Sequence, residues 1–274
     1  MKSIKKLLAL VLALAMTAAL AACGGSPAPA EAPSDSAAPA GSAAEAPAAP
    51  GKTYLIATDT TFAPFEFQDA QGNFVGIDMD LLKAIAEDQG FQYEIQVLGF
   101  DASLQSVQSG QSDGMIAGMS ITDARREVFD FSDPYFDSGV VMGIKADNEE
   151  IKDYADLAGK NVAIKKGTEG AAFAESIMDE YGFTVTYFAD SSNMYEDVKA
   201  GNSAACFEDY PVLGYAISQE IGLKIVTEME RGNSYGFAVN KGQNPELVEM
   251  FNAGLQNLRD SGKYQEILDT YIKK

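Results

Sequence analysis

The sequence predicts an α/β protein, and three observations carry that prediction. Short apolar runs of strand length alternate with amphipathic helical patterns from about residue 54 to residue 272. The helical patterns carry their own punctuation, with Ser, Thr or Asp at starts and Gly at or just after ends. The chain has 274 residues with 46% hydrophobic and 22% charged side chains, a globular balance, and the patterned part spans about 220 residues, enough for two lobes or one large domain.

Residues 54–57 read as a strand and 65–67 as a hairpin-like return before the Gln71-Gly72-Asn73 turn. Asp78 is expected to cap a helix to about Gln89, with Leu81, Leu82, Ile85 and Ala86 at helical spacing. A strand at 93–98, a helix at 103–108 and a strand at 113–117 follow. Thr122 or Asp123 caps a short helix bearing Arg125. Residues 138–145 are extended and 153–157 form a helical turn. Strands at 161–165, 183–188, 204–208 and 223–227 are separated by helices at 168–181, 194–200 and 210–220. Residues 235–239 are extended, and helices at 245–261 and 263–272 close the chain. This alternation implies parallel, helix-covered sheets. No internal repeat is visible.

Ahead of this pattern stands a leader. Lys2, Lys5 and Lys6 precede an apolar stretch over 7–22 that is short for a spanning helix. It ends in Leu20-Ala-Ala-Cys23-Gly-Gly, which resembles the lipobox of bacterial lipoproteins. That resemblance implies cleavage before Cys23, a diacylglycerol on its sulfur, and a home on the outer face of the cytoplasmic membrane. Residues 23–52 are mostly Ala, Pro, Ser and Gly, with scattered Glu31, Asp35 and Glu45 and six of the chain's ten prolines, and read as a disordered tether.

The net charge is −20, and loss of the leader's lysines makes it more negative, which argues against nucleic acid or an anionic bilayer as partner. There is no histidine, so the usual general base and commonest metal ligand are missing, and no metal or cofactor is expected. Cys206, in a run of small and apolar residues, reads as a buried inert thiol.

In open α/β sheets ligands collect beyond the carboxyl ends of strands. Those positions hold Asp59 and Phe62, then Phe100, then Gly118, Ser120 and Arg125, then Lys165, Gly167 and Thr168, then Glu208 and Asp209. A patch with both charge signs and aromatic rings suits a small zwitterion. Arg125 with Ser120 and Thr168 would hold a carboxylate, Asp209 an ammonium, and Phe62 and Phe100 would flank the stem. Plainer roles stand beside these: Asp59 and Asp209 as caps, the phenylalanines as core, Lys165 as a solvated strand end. Gly167-Thr168-Glu169-Gly170 lacks the Gly-Lys-Ser/Thr ending of a phosphate loop.

The segments 57–67, Gly76-Ile-Asp-Met-Asp80, Ser120-Ile-Thr-Asp-Ala-Arg125, 129–135 and Lys165-Lys-Gly-Thr168 resemble the family 3 extracellular solute-binding proteins, the polar amino-acid receptors of ABC importers. Among them the glutamine receptors are the most similar. The resemblance implies a two-lobe, type II periplasmic-binding-protein-like fold with two crossing hinge segments. It places lobe 1 at 53–134 plus 238–274, lobe 2 at 140–232, and hinges at 135–139 and 233–237. It implies a monomer that presents its amino acid to permease subunits. Arg125 and the N–H groups of Ser120 and Thr168 match the carboxylate clamp, with Met119 and Glu169 beside it. Asp209, the Gly118 carbonyl and the Ser120 hydroxyl match the ammonium site. Phe62 and Phe100 match the aromatic walls, and Asp59 and Lys165 the side-chain amide contacts. Glu208 stands where the glutamine receptor has histidine, and Glu169 replaces a small residue.

A basic ligand would suit Asp59 and Glu208 but meet repulsion from Lys165, and a glutamate would face two carboxylates. An amide donates and accepts, so it satisfies Asp59 and Lys165 together. Glutamine is therefore the expected ligand, with arginine, lysine or another polar amino acid next. A same-fold, dehydratase-like enzyme would need Glu208 or Glu169 as general base; the expectation is a binding protein, not an enzyme.

Overall fold

A computed structural model describes residues 51–272. The expected leader, the expected lipidation site Cys23 and nearly all of the expected tether lie outside them. The chain forms strands β1 (Thr53–Thr58), β2 (Phe67–Gln68) and β3 (Phe74–Val75), helix α1 (Ile77–Gln89), strand β4 (Gln92–Val97) and helix α2 (Phe100–Gln108). Next come β5 (Gly114–Met115), α3 (Asp123–Arg126), β6 (Phe129–Phe131) and β7 (Phe136–Lys145), then a 3-10 turn over Tyr154–Leu157. They are followed by β8 (Asn161–Lys165), α4 (Glu169–Tyr181), β9 (Thr184–Phe188), α5 (Ser191–Lys199), β10 (Ala205–Asp209) and α6 (Tyr210–Ser218). The chain closes with β11 (Leu223–Ile225), β12 (Glu230–Tyr235), β13 (Ala238–Asn240), α7 (Pro245–Ser261) and α8 (Lys263–Tyr271).

These elements build a two-lobed α/β fold on two large sheets, with β2 and β3 paired as a separate two-stranded hairpin. One runs β4-β1-β5-β13-β6, the other β11-β7-β10-β8-β9 with β12 added on β7. The chain passes between them twice, after β6 and after β12. The two passages are bonded to each other: Ser132 N–H donates to Phe237 O at 2.8 Å, Tyr135 N–H to Tyr235 O at 2.9 Å, and Phe136 pairs with Tyr235.

The sheets are mixed, where the sequence pattern implies parallel ones. β1 runs parallel to β4 and β5, and β8 to β9 and β10, each joined through helices. β13 is antiparallel to β5 and β6, and β7 is antiparallel to β10, β11 and β12. The reason is connectivity: β7 and β13 enter their sheets directly from the passages after β6 and β12, without the helical crossover that parallel pairing of successive strands needs.

Each sheet buries its own core. Leu81, Leu82 and Ile85 of α1 pack with Leu247, Phe251 and Leu255 of α7 over the first sheet. Ala171, Phe173 and Ala174 of α4 pack with Val162, Ile164 and Phe207 on the second. Burying a residue of this kind contributes about 1.5–3 kcal/mol. The apolar i, i+3, i+4 spacing of α1 and α7 is what faces these helices inward.

Several local expectations change, and α5, expected at 194–200, starts at Ser191. Asp78 does not cap α1; the helix starts two residues earlier, at Ile77 after the cap Gly76, and Asp78 is buried inside its first turn. Gly76 has φ 141°, and a Cβ there would meet Phe65 O at 2.0 Å, so the chain tucks under the preceding loop before turning helical. α2 starts at Phe100 rather than near 103. β12 extends to Glu230 through a polar run that carries no alternation of apolar residues.

Candidate functional site

The strand ends converge between the sheets. Asp59 follows β1, Lys165 ends β8, and Glu208 and Asp209 end β10; all four are buried. Lys165 Nζ donates to Asp59 Oδ2 from the opposite lobe and lies 3.3 Å from Ser191 Oγ. Ser191 Oγ donates to Glu208 Oε2 at 2.8 Å, and Tyr195 OH donates to the same oxygen at 3.0 Å. The other Glu208 oxygen accepts the Asp209 N–H at 3.1 Å. Burial pulls the Lys165 ammonium down, but Asp59 and Glu208 outweigh it and hold the amine above its ordinary value. Burial pushes Glu208 up, opposed by Lys165 and its hydrogen-bond donors. Lys165 is thus an enclosed, paired cation and not a solvated strand end.

Arg125 sits on α3, whose cap is Thr122: its hydroxyl accepts the Arg125 N–H at 3.2 Å. The guanidinium donates through Nη1 to Ser120 O at 2.8 Å and through Nη2 across the cleft to Gly167 O at 3.0 Å. It stacks over Phe100, 5.4 Å from the ring centre. Burial lowers its pKa, against the pull of Glu169 and Asp209. Asp209 accepts from Tyr235 OH at 2.6 Å, and Tyr235 OH accepts in turn from Ser138 Oγ at 3.0 Å. Burial and adjacent Glu208 push Asp209 up to about 7, against Tyr235 and Arg125. Asp209 precedes α6 but its side chain makes no cap bond, so the capping reading does not hold. Arg125 and Asp209 come from different lobes and act on each other electrostatically.

The remaining positions divide. Gly118, at φ 52°, lies against Phe62, whose ring is 2.3 Å from where a Gly118 Cβ would stand. Phe62 and Phe100 are both nearly buried, and Phe62 also backs the Lys165 ammonium at 4.9 Å. Ser120 is buried, and among the described residues its N–H finds no acceptor. Thr168 spends its hydroxyl on its own helix, donating to Lys165 O at 2.8 Å and accepting from Ala171 N–H at 3.2 Å. Glu169, at the start of α4, lies 3.7 Å from Arg231 Nη1. Met119 does not join the group through its side chain, which packs with Ala57, Phe100 and Phe129 in a small core.

Several participants have no place among the expected residues. Ser191 follows β9, a strand end that the carboxyl-end rule covers. Its N–H also donates to Thr61 Oγ1 of the other lobe at 3.1 Å. Tyr195 and Tyr235 carry no local signal. A cavity of about 380 Å3 lined by Thr60, Thr61, Ala63, Ser191 and Tyr195 opens beside the Lys165 group. Cys206 is buried and burial pushes its thiol up, away from the thiolate that reactivity needs.

Residues 54–274 match the model of the bacterial extracellular solute-binding proteins, family 3. The chain belongs to that family. A probable histidine-binding protein of Neisseria gonorrhoeae is 30% identical over 84% of this chain and 87% of its own. The Lactococcus lactis GlnP substrate binding domain 2, solved in an open conformation, is 45% identical over 84% of this chain and 99% of that one, with a TM-score of 0.57. An ancestral arginine-binding protein bound to glutamine is 37% identical over 81% and 98%, with a TM-score of 0.75. The chain therefore superposes better on a ligand-bound relative than on an open one of higher identity. As a family 3 solute-binding protein it captures amino acids for an ABC importer, a binding role and not a catalytic one. Among the described residues no helix is long and apolar enough to cross a membrane.

Proposed function

We propose that this family 3 protein captures a polar α-amino acid between its lobes, with glutamine as the side chain its charges suit best. The observation that carries the reading is the buried bond between Lys165 and Asp59. A cation already occupies the place where a basic side chain would end, and a second one there would meet repulsion in a poorly screened site. An amide accepts from Lys165 and donates to Asp59 or Glu208. At the head group, Arg125 with the N–H groups of Ser120 and Thr168 takes the carboxylate, and Asp209, Ser120 and the Gly118 carbonyl take the ammonium. Phe62 and Phe100 flank the stem. The ligand bridges lobes that hinge near 135–139 and 233–237, and the closed form is what the permease recognises. Cys23 tethers the whole to the outer face of the membrane.

A second reading has its own support. The Neisseria relative is named for histidine and the ancestral protein for arginine, and those names favour a basic ligand over glutamine. The ancestral protein's complex with glutamine supports the idea that one scaffold of this family takes both classes. A calorimetric panel of amino acids on the purified protein decides between them. Tightest binding by glutamine is the expected result; tighter binding by arginine, lysine or histidine makes this a basic amino-acid receptor.

A further inference from the structure

Beneath the cleft in the first lobe lies a pair of acids that the ligand contacts leave unexplained. Glu66 and Asp78 are both fully buried. Neither oxygen of Glu66, nor Oδ1 of Asp78, has a hydrogen-bond donor among the described residues. Asp78 Oδ2 is well served: it accepts Gly118 N–H at 2.8 Å and Tyr135 OH at 2.9 Å. The backbone forces the two acids together. Phe62 and Glu66 pair as an isolated bridge, Ile77 N–H donates to Pro64 O at 2.9 Å, and Asp78 N–H donates to Phe65 O at 3.0 Å.

Two ionised carboxylates facing each other in such a place would be costly, since each unpaired buried oxygen forfeits its hydration and the charges repel. The cation that acts on Glu66 is Lys165, which is already bonded to Asp59. One proton between the acids removes both costs. We propose that Glu66 carries that proton at neutral pH and donates it to Asp78 Oδ1, leaving an ionised Asp78 that positions Gly118 and Tyr135. The direction of the transfer follows from the donors, because Asp78 alone has N–H and O–H groups that favour its charged form. Burial and Asp78 hold Glu66 well above the carboxylate range, with Asp59 adding to the push and Lys165 opposing it, while burial lifts Asp78 to about 6.

The pair is a positioning device. Gly118 supplies backbone to the proposed ammonium site, and Tyr135 stands on the first passage between the lobes, its carbonyl accepting Tyr264 OH at 2.6 Å. Asp78 thereby ties the cleft to the passage through one side chain. Its effect on ligand affinity rests on the reading of the site given above; the shared proton does not.

Infrared difference spectra of the wild-type protein against Glu66→Gln test the proton directly. At neutral pH the difference is expected to contain the carbonyl stretch of a buried protonated carboxylic acid belonging to Glu66, the partly protonated Asp209 cancelling because both proteins carry it. A raised carboxyl makes the folded state bind more protons than the unfolded one, so its contribution to stability falls as pH rises from about 4.5 toward its folded value. Glu66→Gln, whose amide is a permanent donor, should make the fall in thermal midpoint between about pH 5 and pH 8 shallower, leaving the part that Asp209 contributes. It should keep amino-acid affinity within about twofold, whereas Glu66→Leu, which leaves Asp78 Oδ1 unpaired, should lose about tenfold. Absence of that band from the difference overturns the proposal. Equal affinity in the Gln and Leu variants overturns the positioning role. A protein that shows the band and the pH profile but binds no amino acid keeps the proton pair and loses the reading of the cleft instead.

Discussion

The ammonium of Lys165 and the carboxylate of Asp59 meet from opposite lobes with both side chains withdrawn from solvent. The pair both joins the lobes and fixes the sign of charge a ligand's side chain encounters. Lys165→Met leaves Asp59 and Glu208 without their cation, and breaking a buried pair in this way costs about 3–5 kcal/mol. A basic ligand then supplies the missing charge. We expect a lower thermal midpoint, weaker binding of glutamine, and a gain for arginine relative to glutamine of at least about tenfold. Calorimetry with both ligands on both proteins checks this, and an unchanged ratio would remove Lys165 from the specificity of the site.

Arg125 donates to carbonyls on both sides of the cleft, so it has the reach and the planar fork to bind a carboxylate two bonds at a time. Arg125→Ala should weaken amino-acid binding by about a hundredfold or more with the far-ultraviolet circular dichroism unchanged. Arg125→Lys keeps the charge but not the fork and should fall between. Wild-type affinity in Arg125→Ala would move the head-group site elsewhere.

Much of this arrangement is legible in the sequence because strand ends are. The apolar runs before Asp59, Lys165 and Glu208-Asp209 locate β1, β8 and β10, and the residue after such a run faces the cleft by topology alone. Thr122 and Thr168 announce their helices by cap chemistry, and both hydroxyls accept the backbone N–H they should. What is not legible depends on contacts between distant segments. β12 is a strand because β7 offers it an edge, and its own sequence, Glu-Arg-Gly-Asn-Ser-Tyr, carries no strand pattern. Tyr235 reaches Asp209 only because that pairing exists. Asp78 has the sequence look of a helix cap; its burial follows from the fit of Gly76 under Phe65, which no local pattern reveals.

Binding should depend on pH through Asp209. Burial and Glu208 raise its folded pKa to about 7, so near neutrality a sizeable fraction is protonated. An amino acid's ammonium favours the carboxylate, and binding therefore releases a proton. Affinity should rise as pH increases through about 7, level off above it, and fall by up to about tenfold for each unit below. Calorimetry in buffers of different ionisation enthalpy counts the released protons. Asp209→Asn should bind weakly at every pH and release none, and a pH-independent wild type would deny Asp209 contact with the ammonium.

Gly118 separates a backbone requirement from a requirement of the site. Its φ of 52° is left-handed, and an added Cβ would lie 2.3 Å from the Phe62 ring that backs Lys165. Gly159 has a φ of 71° with open space around it, and serves as the control. Both alanine substitutions incur the left-handed penalty of about 1–2 kcal/mol and should lower the thermal midpoint by a few degrees. Only Gly118→Ala displaces Phe62, so it alone should weaken amino-acid binding, by about tenfold or more. Thermal scans with and without ligand distinguish the two effects: the ligand-induced rise should survive in Gly159→Ala and shrink in Gly118→Ala. Equal rises in both variants would mean that Phe62 can move without consequence for the cleft.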